Sequence, residues 1–397
     1  MFRHKRFLLG LTMFAGIAGL AAMPVFPQIA TPTVSVVPQR AAEIPFELFR
    51  GNRIFLKGSV NAVETSMILD SGAGVTTLDL AFARKIGLKD GQKVTAQGVG
   101  GAQDAELFQN VTVEAGNLKL TGVTVVAIDL SQIEKAIGRP MPVILGREVF
   151  ANSVAGIDFD RNLITFSPAS GFVAPAGATE VALQREGTLH FIPIAVGGLP
   201  PVLAALDLGN GGAISLSKEY HEKHSGFAAL PYAIGMGGGV GGVHEMKRVT
   251  LPKVAVAGFE FSGVPTDLGS VADGPYEGRA NIGIQMLRPF KVTLDLGHDR
   301  LWLQRTDRPI AFPRDRSGLF TLLEGDHFNI LHVAPGSPAD RAGLKKGDRI
   351  AAIDGHRIGP GFYNTAQANW SRAAAGTSVA VTKGDGQTAK LVLADYF

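Results

Sequence analysis

The chain contains an internal repeat, which limits its possible folds more than any other feature. Asp70 and Asp207 each end a short apolar run, and they are separated by 137 residues. Three further segments recur at the same offset and in the same order, namely 98–101 with 235–238, 145–146 with 282–283, and 157–159 with 294–296. Recurrence at one period indicates a repeated structural unit. The chain is therefore predicted to fold as two related halves, each centred on one aspartate.

Each half reads mainly as strands. Short β-prone runs precede both aspartates, at 53–60 and 190–196, and Gly-rich segments separate the runs that follow. Many short strands separated by Gly-rich turns favour barrel-like β lobes. One short helix is predicted after each aspartate, near 78–86 and 218–224. The predicted fold class is therefore mainly β, with two related lobes.

Composition excludes several kinds of chemistry. The chain has no cysteine, so disulfides, thiolate nucleophiles and cysteine-based metal sites are impossible. The formal net charge of +3 is matched by Arg3, Lys5 and Arg6, and the remainder is balanced, which gives nucleic acid no basic surface to bind. His221 and His224 are three residues apart on a predicted helix but lack an evident third ligand, so neither a metal nor any other cofactor is predicted.

The N-terminus resembles an export signal. A basic segment up to Arg6 precedes an uncharged apolar run at 7–23 that ends in small residues, the usual order in a secretory signal. Residues 1–24 are predicted to be a signal peptide, or an uncleaved anchor since the run approaches spanning length; a buried helix is the third reading. Residues 25–45 are Pro-rich and read as a linker. The expected location is periplasmic or extracellular.

The surroundings of the aspartates predict acid–base chemistry. Asp70 is followed by Ser71 and Gly72, and Asp207 by Leu208 and Gly209. One Asp-Ser-Gly alone is also a common β-turn, but two related halves can pack about a pseudo-twofold axis and bring both acids together. Adjacent carboxyl groups share one proton. The protonated acid can then polarise an amide carbonyl while the ionised one activates a water.

The motifs around these aspartates resemble those of the pepsin and retropepsin-like aspartic proteases. The resemblance covers residues 46–306. The motifs are Asp-Ser-Gly-Ala at 70–73, Asp-x-Gly at 207–209, and a hydrophobic pair before glycine at 144–146, with a partial copy at 281–283. The resemblance implies two protease lobes, 46–170 and 180–306, and an endopeptidase with Asp70 and Asp207 as its catalytic pair. Ser71, Gly72 and Gly209 would support the active turns.

The resemblance also implies flaps that close over an extended peptide or protein substrate. Two Gly-rich segments match flap tips, one per lobe, as in retropepsins. Their predicted residues are Gly98, Gly100, Gly101, Gly235, Gly237 and Gly238.

Two positions depart from the family pattern. Leu208 stands where the family has Ser or Thr, so the second turn lacks its hydroxyl brace, and Asn281 stands where an apolar residue is usual. The second lobe could be looser than the first. The alternative function is therefore a catalytically inactive module that binds peptide without cutting it.

A third domain is predicted at 315–397. After a linker marked by Pro309 and Pro313, the segment 336–355 reads as a turn, a short helix opened by Ser337-Pro338, a glycine stop and a strand. The segment resembles a PDZ domain of the bacterial, protease-associated kind. Such a domain would bind a peptide or protein C-terminus at Gly318, Leu319 and Phe320; the alternative is a small αβ domain that only packs on the protease.

Overall fold

The computed structural model describes residues 33–36, 43–98, 100–269 and 277–397. The predicted signal or anchor at 1–24 and most of the predicted linker lie outside these residues. Within the described ranges, no helix has the length and apolar character needed to cross a membrane. The fold is mainly β, as predicted from the two sets of short strands.

The first lobe is built on one large, strongly curved sheet. Its order is β1-β9-β6-β10-β5-β4-β8-β7, with β3 beside β4 and a further pairing between β8 and β9. The strands are β1 (Thr33–Val36), β3 (Glu47–Phe49), β4 (Arg53–Val60), β5 (Val63–Leu69), β6 (Thr77–Asp79), β7 (Gln92–Gly98), β8 (Gly101–Ala115), β9 (Leu118–Ile128) and β10 (Val143–Leu145). The helices are α1 (Leu80–Lys85), α2 (Ser131–Ile137) and α3 (Arg147–Asn152).

The second lobe repeats this arrangement. Its sheet order is β14-β15-β16-β21-β17-β20-β19-β18, with a further pairing between β15 and β19. The strands are β14 (Gln184–Glu186), β15 (Leu189–Val196), β16 (Val202–Leu206), β17 (Ile214–Leu216), β18 (Tyr232–Gly239), β19 (Gly242–Val256), β20 (Phe259–Leu268) and β21 (Ala280–Ile282). The helices are α4 (Lys218–Lys223) and α5 (Ile284–Leu287).

A third sheet joins the two lobes, in the order β13-β23-β22-β11-β12-β2. Its strands are β2 (Ile44–Pro45), β11 (Val154–Asp158), β12 (Leu163–Ser167), β13 (Thr179–Ala182), β22 (Phe290–Asp295) and β23 (Arg300–Arg305). Gly156 of β11 pairs with Thr293 of β22, and these two residues are separated by the offset of the repeat. Equivalent points of the two halves thus meet at this pair, which marks the position of a local pseudo-twofold axis.

The two lobes share one hydrophobic core. A single cluster of buried residues runs from Ile44 to Leu303 and includes side chains from both lobes and from the joining sheet. Alternation along the strands produces this core, because successive side chains point to opposite faces; in β12, for example, Ile164 and Phe166 are buried and their neighbours are not. The lobes therefore stabilise each other.

The C-terminal domain has its own sheet and its own core. The sheet order is β24-β25-β26-β28-β29, with β27 beside β26, and a separate apolar cluster lies between Phe328 and Leu393. The elements are β24 (Leu319–Glu324), β25 (His327–Val333), α6 (Pro338–Arg341), β26 (Arg349–Ile353), β27 (His356–Arg357), β28 (Ser378–Lys383) and β29 (Thr388–Val392). The Ser337 side chain accepts a hydrogen bond from the Asp340 N–H, so it caps α6 as predicted.

The local predictions differ from the structure in two places. The segment predicted as a helix at 78–86 begins as strand β6, and α1 starts only at Leu80 because the Asp79 carboxylate accepts the Phe82 N–H and caps it there. Residues 25–45 are predicted to be a linker. Within this segment, residues 33–36 form a strand that pairs antiparallel with β9. Proline-free stretches within such a segment can still supply every backbone donor a strand needs.

Candidate active site

Both aspartates are held at the same point of their lobes. In the first lobe β5 runs parallel to β10, and the Asp70 N–H donates to the Leu145 carbonyl at 3.0 Å. In the second lobe β16 runs parallel to β21, and the Asp207 N–H donates to the Ile282 carbonyl at 3.1 Å. Each acid therefore lies where its strand leaves the sheet, at the start of a tight turn.

The two turns approach each other so closely that only glycine fits. A Cβ atom on Gly72 would lie 2.8 Å from the Asp207 Cγ, and a Cβ on Gly209 would lie 2.2 Å from the Asp70 Oδ2. Each glycine thus leaves room for the carboxyl group of the opposite lobe. The structure brings Asp70, Asp207, Gly72 and Gly209 together at one site.

Ser71 joins the two turns. Its buried hydroxyl donates to the Leu206 carbonyl at 2.9 Å and accepts the Leu208 N–H at 3.0 Å. The reciprocal brace is absent because the Leu208 side chain has no hydroxyl and is buried in the shared core. One serine therefore makes both cross-lobe hydrogen bonds.

Asp70 is strongly biased toward its protonated form. Burial and the nearby charge of Asp207 raise the pKa of Asp70 to about 8, and a side-chain hydrogen bond with Asp207 acts in the same direction. Two backbone donors oppose this shift, since the Gly72 and Ala73 N–H groups donate to Asp70 Oδ1 at 2.8 and 3.1 Å. Below that pH the pair can hold one proton, as acid and base chemistry at a shared site requires.

Asp207 has a different set of partners, which the sequence did not predict. The Asn210 N–H donates to Asp207 Oδ1 at 3.0 Å, and the Asn281 amide donates to Asp207 Oδ2 at 2.8 Å. The Asn281 oxygen in turn accepts the Asn210 side-chain amide at 2.7 Å. A looser second turn was expected from Asn281, and instead this side chain ties the turn to β21. The available signal was a polar residue inside an otherwise apolar strand.

Arg53 is a second group that the sequence did not indicate. Burial lowers the pKa of its guanidinium, while the charges of Asp207 and then Asp70 raise it. A Cβ on Gly211 would lie 1.3 Å from the Arg53 Nη1, so the arginine of β4 packs directly against the second turn. It supplies a positive charge behind the two acids.

The first turn is supported by buried Thr76 and half-buried Glu148. The Glu148 carboxylate of α3 accepts the N–H and the hydroxyl of Thr76 at 3.0 and 2.9 Å, and the Thr76 hydroxyl accepts the Gly146 N–H at 3.1 Å. Burial raises the pKa of Glu148. The second lobe uses an amide instead, since Gln285 donates to the Gly211 carbonyl at 2.9 Å.

Two long hairpins, β7–β8 and β18–β19, meet at their tips. The Gly100 N–H donates to the Val240 carbonyl at 2.8 Å, and the Gly241 N–H donates to the Gln103 side chain at 3.2 Å. Close packing excludes side chains here, because a Cβ on Gly241 would lie 2.2 Å from the Gly101 oxygen. The tips of the two lobes are therefore in direct backbone contact.

The predicted flap glycines fall into two groups. Gly98, Gly100 and Gly101 lie at the first tip, where β7 and β8 pair through 98 and 101. The second tip turns at residues 240–241, so Gly235, Gly237 and Gly238 lie along β18, opposite Met246, His244 and Val243. The second turn lies within the predicted Gly-rich segment 235–242, beyond the three glycines named at the repeat offset.

The predicted carboxylate-binding loop bonds within the chain. The Gly318 N–H donates to the Asp315 carboxylate at 2.8 Å, and the Leu319 N–H donates to the Ser317 hydroxyl at 3.1 Å. Phe320 lies in β24 opposite His332, next to an irregularity in the strand register. In this state the loop donors at 318 and 319 are occupied by acceptors of the domain itself.

The histidine pair considered for metal binding is used in packing and hydrogen bonding. The His221 ring bonds the Gly269 carbonyl at 2.8 Å, and the His224 ring packs on Tyr220 and Phe227. Within the part of the chain that the structure describes, no group of three potential ligands could hold a metal ion.

Comparison with known families identifies two segments. A family described as aspartyl protease matches residues 56–149, and a family described as PDZ domain matches residues 330–382. No curated protein matches the chain significantly. The first segment contains Asp70 and β10, whereas Asp207 lies beyond it.

Proposed function

Since the chain contains an aspartyl protease domain and a C-terminal PDZ domain, we propose that it is an endopeptidase with Asp70 and Asp207 as its catalytic pair. The observation that carries the proposal is the reciprocal approach of Gly72 to Asp207 and of Gly209 to Asp70. Turns that approach so closely bring the two carboxyl groups to one site, and in the proposed reaction the attacking water binds to this pair.

The proposed reaction follows from the sharing of one proton. Asp70 in its protonated form donates a hydrogen bond to the scissile carbonyl, and ionised Asp207 takes a proton from the attacking water. The resulting tetrahedral intermediate collapses when a proton passes from the pair to the leaving amine. Arg53 supports this state because its charge favours a single negative charge on the pair.

The paired hairpins suggest how the substrate is held. We propose that an extended peptide lies between the hairpin tips and the aspartates, and that β7–β8 and β18–β19 separate to admit it. The contact between Gly100 and Val240 supports a closed resting position. Pairing of a peptide with strand edges would make binding depend on backbone hydrogen bonds more than on individual side chains.

The test is proteolysis of a peptide library by the purified full-length protein. Asp70→Asn and Asp207→Asn should each abolish cleavage while the fold survives. Asp158→Asn is the matched control, because Asp158 also recurs at the repeat offset but lies in the joining sheet and caps a turn through the Asp160 and Arg161 N–H groups. Wild-type rates in Asp207→Asn would overturn the proposal.

The alternative of an inactive binding module depended on Leu208 and Asn281. Ser71 still connects both turns, and Asn281 bonds Asp207. These contacts favour a site that is held together, and so they support the enzyme.

For the PDZ domain and the N-terminus, we propose the functions that the sequence predicts. We propose that the PDZ domain binds a peptide or protein C-terminus through the 318–320 loop, after Asp315 releases the loop, and that the chain is exported with its N-terminal segment cleaved or retained. Binding of free-acid against amidated peptides tests the first proposal. Fractionation of cells that express the full chain tests the second.

A further inference from the structure

We infer that Asn281 is a positioning residue that keeps the shared proton on Asp70 and makes Asp207 the base, an inference that depends on the proposed peptidase function. Asn281 lies in β21, beside the strand that ends in Asp207, and its equivalent in the first lobe is Ile144. Both residues are buried. At this position the repeat replaces an apolar side chain with an amide, and the amide adds a hydrogen-bond donor beside Asp207.

The orientation of the Asn281 amide follows from the chain of hydrogen bonds behind it. The Gly212 N–H donates to the Asn210 Oδ1 at 2.8 Å, so the Asn210 Nδ2 is directed toward Asn281. That Nδ2 donates to the Asn281 Oδ1 at 2.7 Å. The Asn281 Nδ2 is then left to donate to the Asp207 Oδ2, 2.8 Å away. A backbone N–H thus fixes the donor that faces Asp207.

Each acid accepts two N–H donors, but the donors are distributed differently over the two oxygens. Both Asp207 oxygens accept an N–H, from Asn210 and from Asn281. In Asp70, Oδ1 accepts two backbone N–H groups, and within the described residues no N–H donates to Oδ2. Donors to a carboxylate favour its charged form, and an oxygen that accepts no N–H is the one able to carry the proton shared with Asp207. The proton therefore resides on Asp70 Oδ2.

Arg53 is the charged group that interacts with both acids, and it acts in the same direction. Arg53 from β4 faces the pair, and its interaction with the charge of Asp207 is larger than that with Asp70. Arg50, the next cation, lies close enough to Arg53 to interact with it. Neither changes when Asn281 is replaced, so the contribution of the amide can be measured separately.

The test is the pH dependence of kcat/KM for Asn281→Ile, the residue found in the first lobe, and for Asn281→Ala. Loss of the amide removes a donor from the singly charged pair but leaves the fully protonated pair unaffected. A plot of kcat/KM against pH for such a pair is bell-shaped. The midpoint of its acidic limb should therefore move to higher pH by about 1 unit. The basic limb should move less, because the states on both sides of it contain ionised Asp207.

Ile144→Val is the matched control, since it alters the equivalent strand position without removing a donor, and both of its limbs should stay in place. A fall in kcat with unmoved limbs in both Asn281 variants would mean that Asn281 has only a structural role. That result would overturn the inference.

A second readout separates this inference from the proposed function. Carbon-13 NMR titration of full-length protein labelled at aspartate, assigned with Asp70→Asn and Asp207→Asn, follows the two carboxyl groups without any substrate. The inference predicts that Asp207 loses its proton before Asp70, and that the interval between the two steps narrows in Asn281→Ala. Simultaneous titration in the wild type would contradict the inference even if the enzyme is active, and the predicted order would support it even if no substrate is cut.

Discussion

At the scale of single residues, the site depends on the unequal treatment of two identical side chains. Burial and the neighbouring charge raise the pKa of Asp70 to about 8, while Asn281 and Asn210 donate to Asp207. The raised pKa of Asp70 places the basic limb of the pH–rate profile near pH 8, because the pair remains singly protonated up to that point.

The raised pKa of Asp70 also predicts a pH-dependent effect on stability. The pKa of this group rises on folding from 3.8 to about 8, so between these values the native state binds a proton that the unfolded chain has lost. Its contribution to stability is complete below pH 4 and is lost as the pH rises toward 8. Asp70→Asn lacks this dependence, and its melting temperature should exceed that of the wild type by several degrees at pH 8.

The measurement is thermal unfolding of both proteins from pH 4 to pH 8.5. The advantage of Asp70→Asn should shrink toward zero as the pH falls to 4. A constant difference across this range would contradict a raised pKa for Asp70.

At the scale of elements, the proposed function requires the two hairpin tips to separate before a peptide can reach the site. A Cβ on Gly98 would lie 2.5 Å from the Val240 Cβ, so a small shift brings paired cysteines to the separation that a disulfide needs. The chain has no cysteine of its own. The double variant Gly98→Cys/Val240→Cys should lose activity on oxidation and recover it on reduction, because locked tips cannot admit a peptide.

Each single-cysteine variant is the control, and its activity should be the same under oxidising and reducing conditions, whatever the effect of the substitution itself. Peptide cleavage before and after reductant is the readout. Full activity in the oxidised, cross-linked protein would show that the hairpins do not need to separate.

A second element-scale contact joins the first lobe to the PDZ domain. Gly138 ends α2 with φ of +86°, and a Cβ there would lie 1.9 Å from the Tyr363 Cε2. The Tyr363 ring also packs edge-on against Phe49, with Arg50 4.3 Å above its centroid. Tyr363 therefore fills the contact between the domains.

Gly138→Ala should weaken this contact, and Gly122→Ala is the matched control. Gly122 also has a positive φ, +71°, but nothing lies within 4 Å of its added Cβ. Both variants incur a backbone strain of about 1–2 kcal/mol, and only Gly138→Ala should also increase hydrogen exchange in the 362–372 segment. Equal exchange in the two variants would contradict the role assigned to Tyr363.

At the scale of the whole molecule, the repeat accounts for what the sequence could predict. Related halves pack about a local axis, so the meeting of Gly72 with Asp207 and of Gly209 with Asp70 could be expected from one offset. The Asn281 contact could not, because it depends on where a side-chain amide lies relative to a neighbouring turn. The hydrogen bond at Gly318 could not be predicted for the same reason, since it depends on where the Asp315 carboxylate, three residues earlier, lies relative to the loop.

The joining sheet connects the two lobes. The proposed active site therefore requires both lobes of one chain. In this sheet Gly156 pairs with Thr293, so equivalent strands of the two halves lie side by side. Neither lobe alone supplies both acids, and neither buries its share of the common core without the other.

Binding of a peptide with a tetrahedral hydroxyl at the scissile position, compared with its plain amide parent, tests the shared site most directly. The account predicts at least roughly 100-fold tighter binding of the hydroxyl analogue to the wild type, since such analogues resemble the transition state. It also predicts that this preference disappears in both Asp70→Asn and Asp207→Asn. An undiminished preference in either variant would contradict a single site built from the two aspartates.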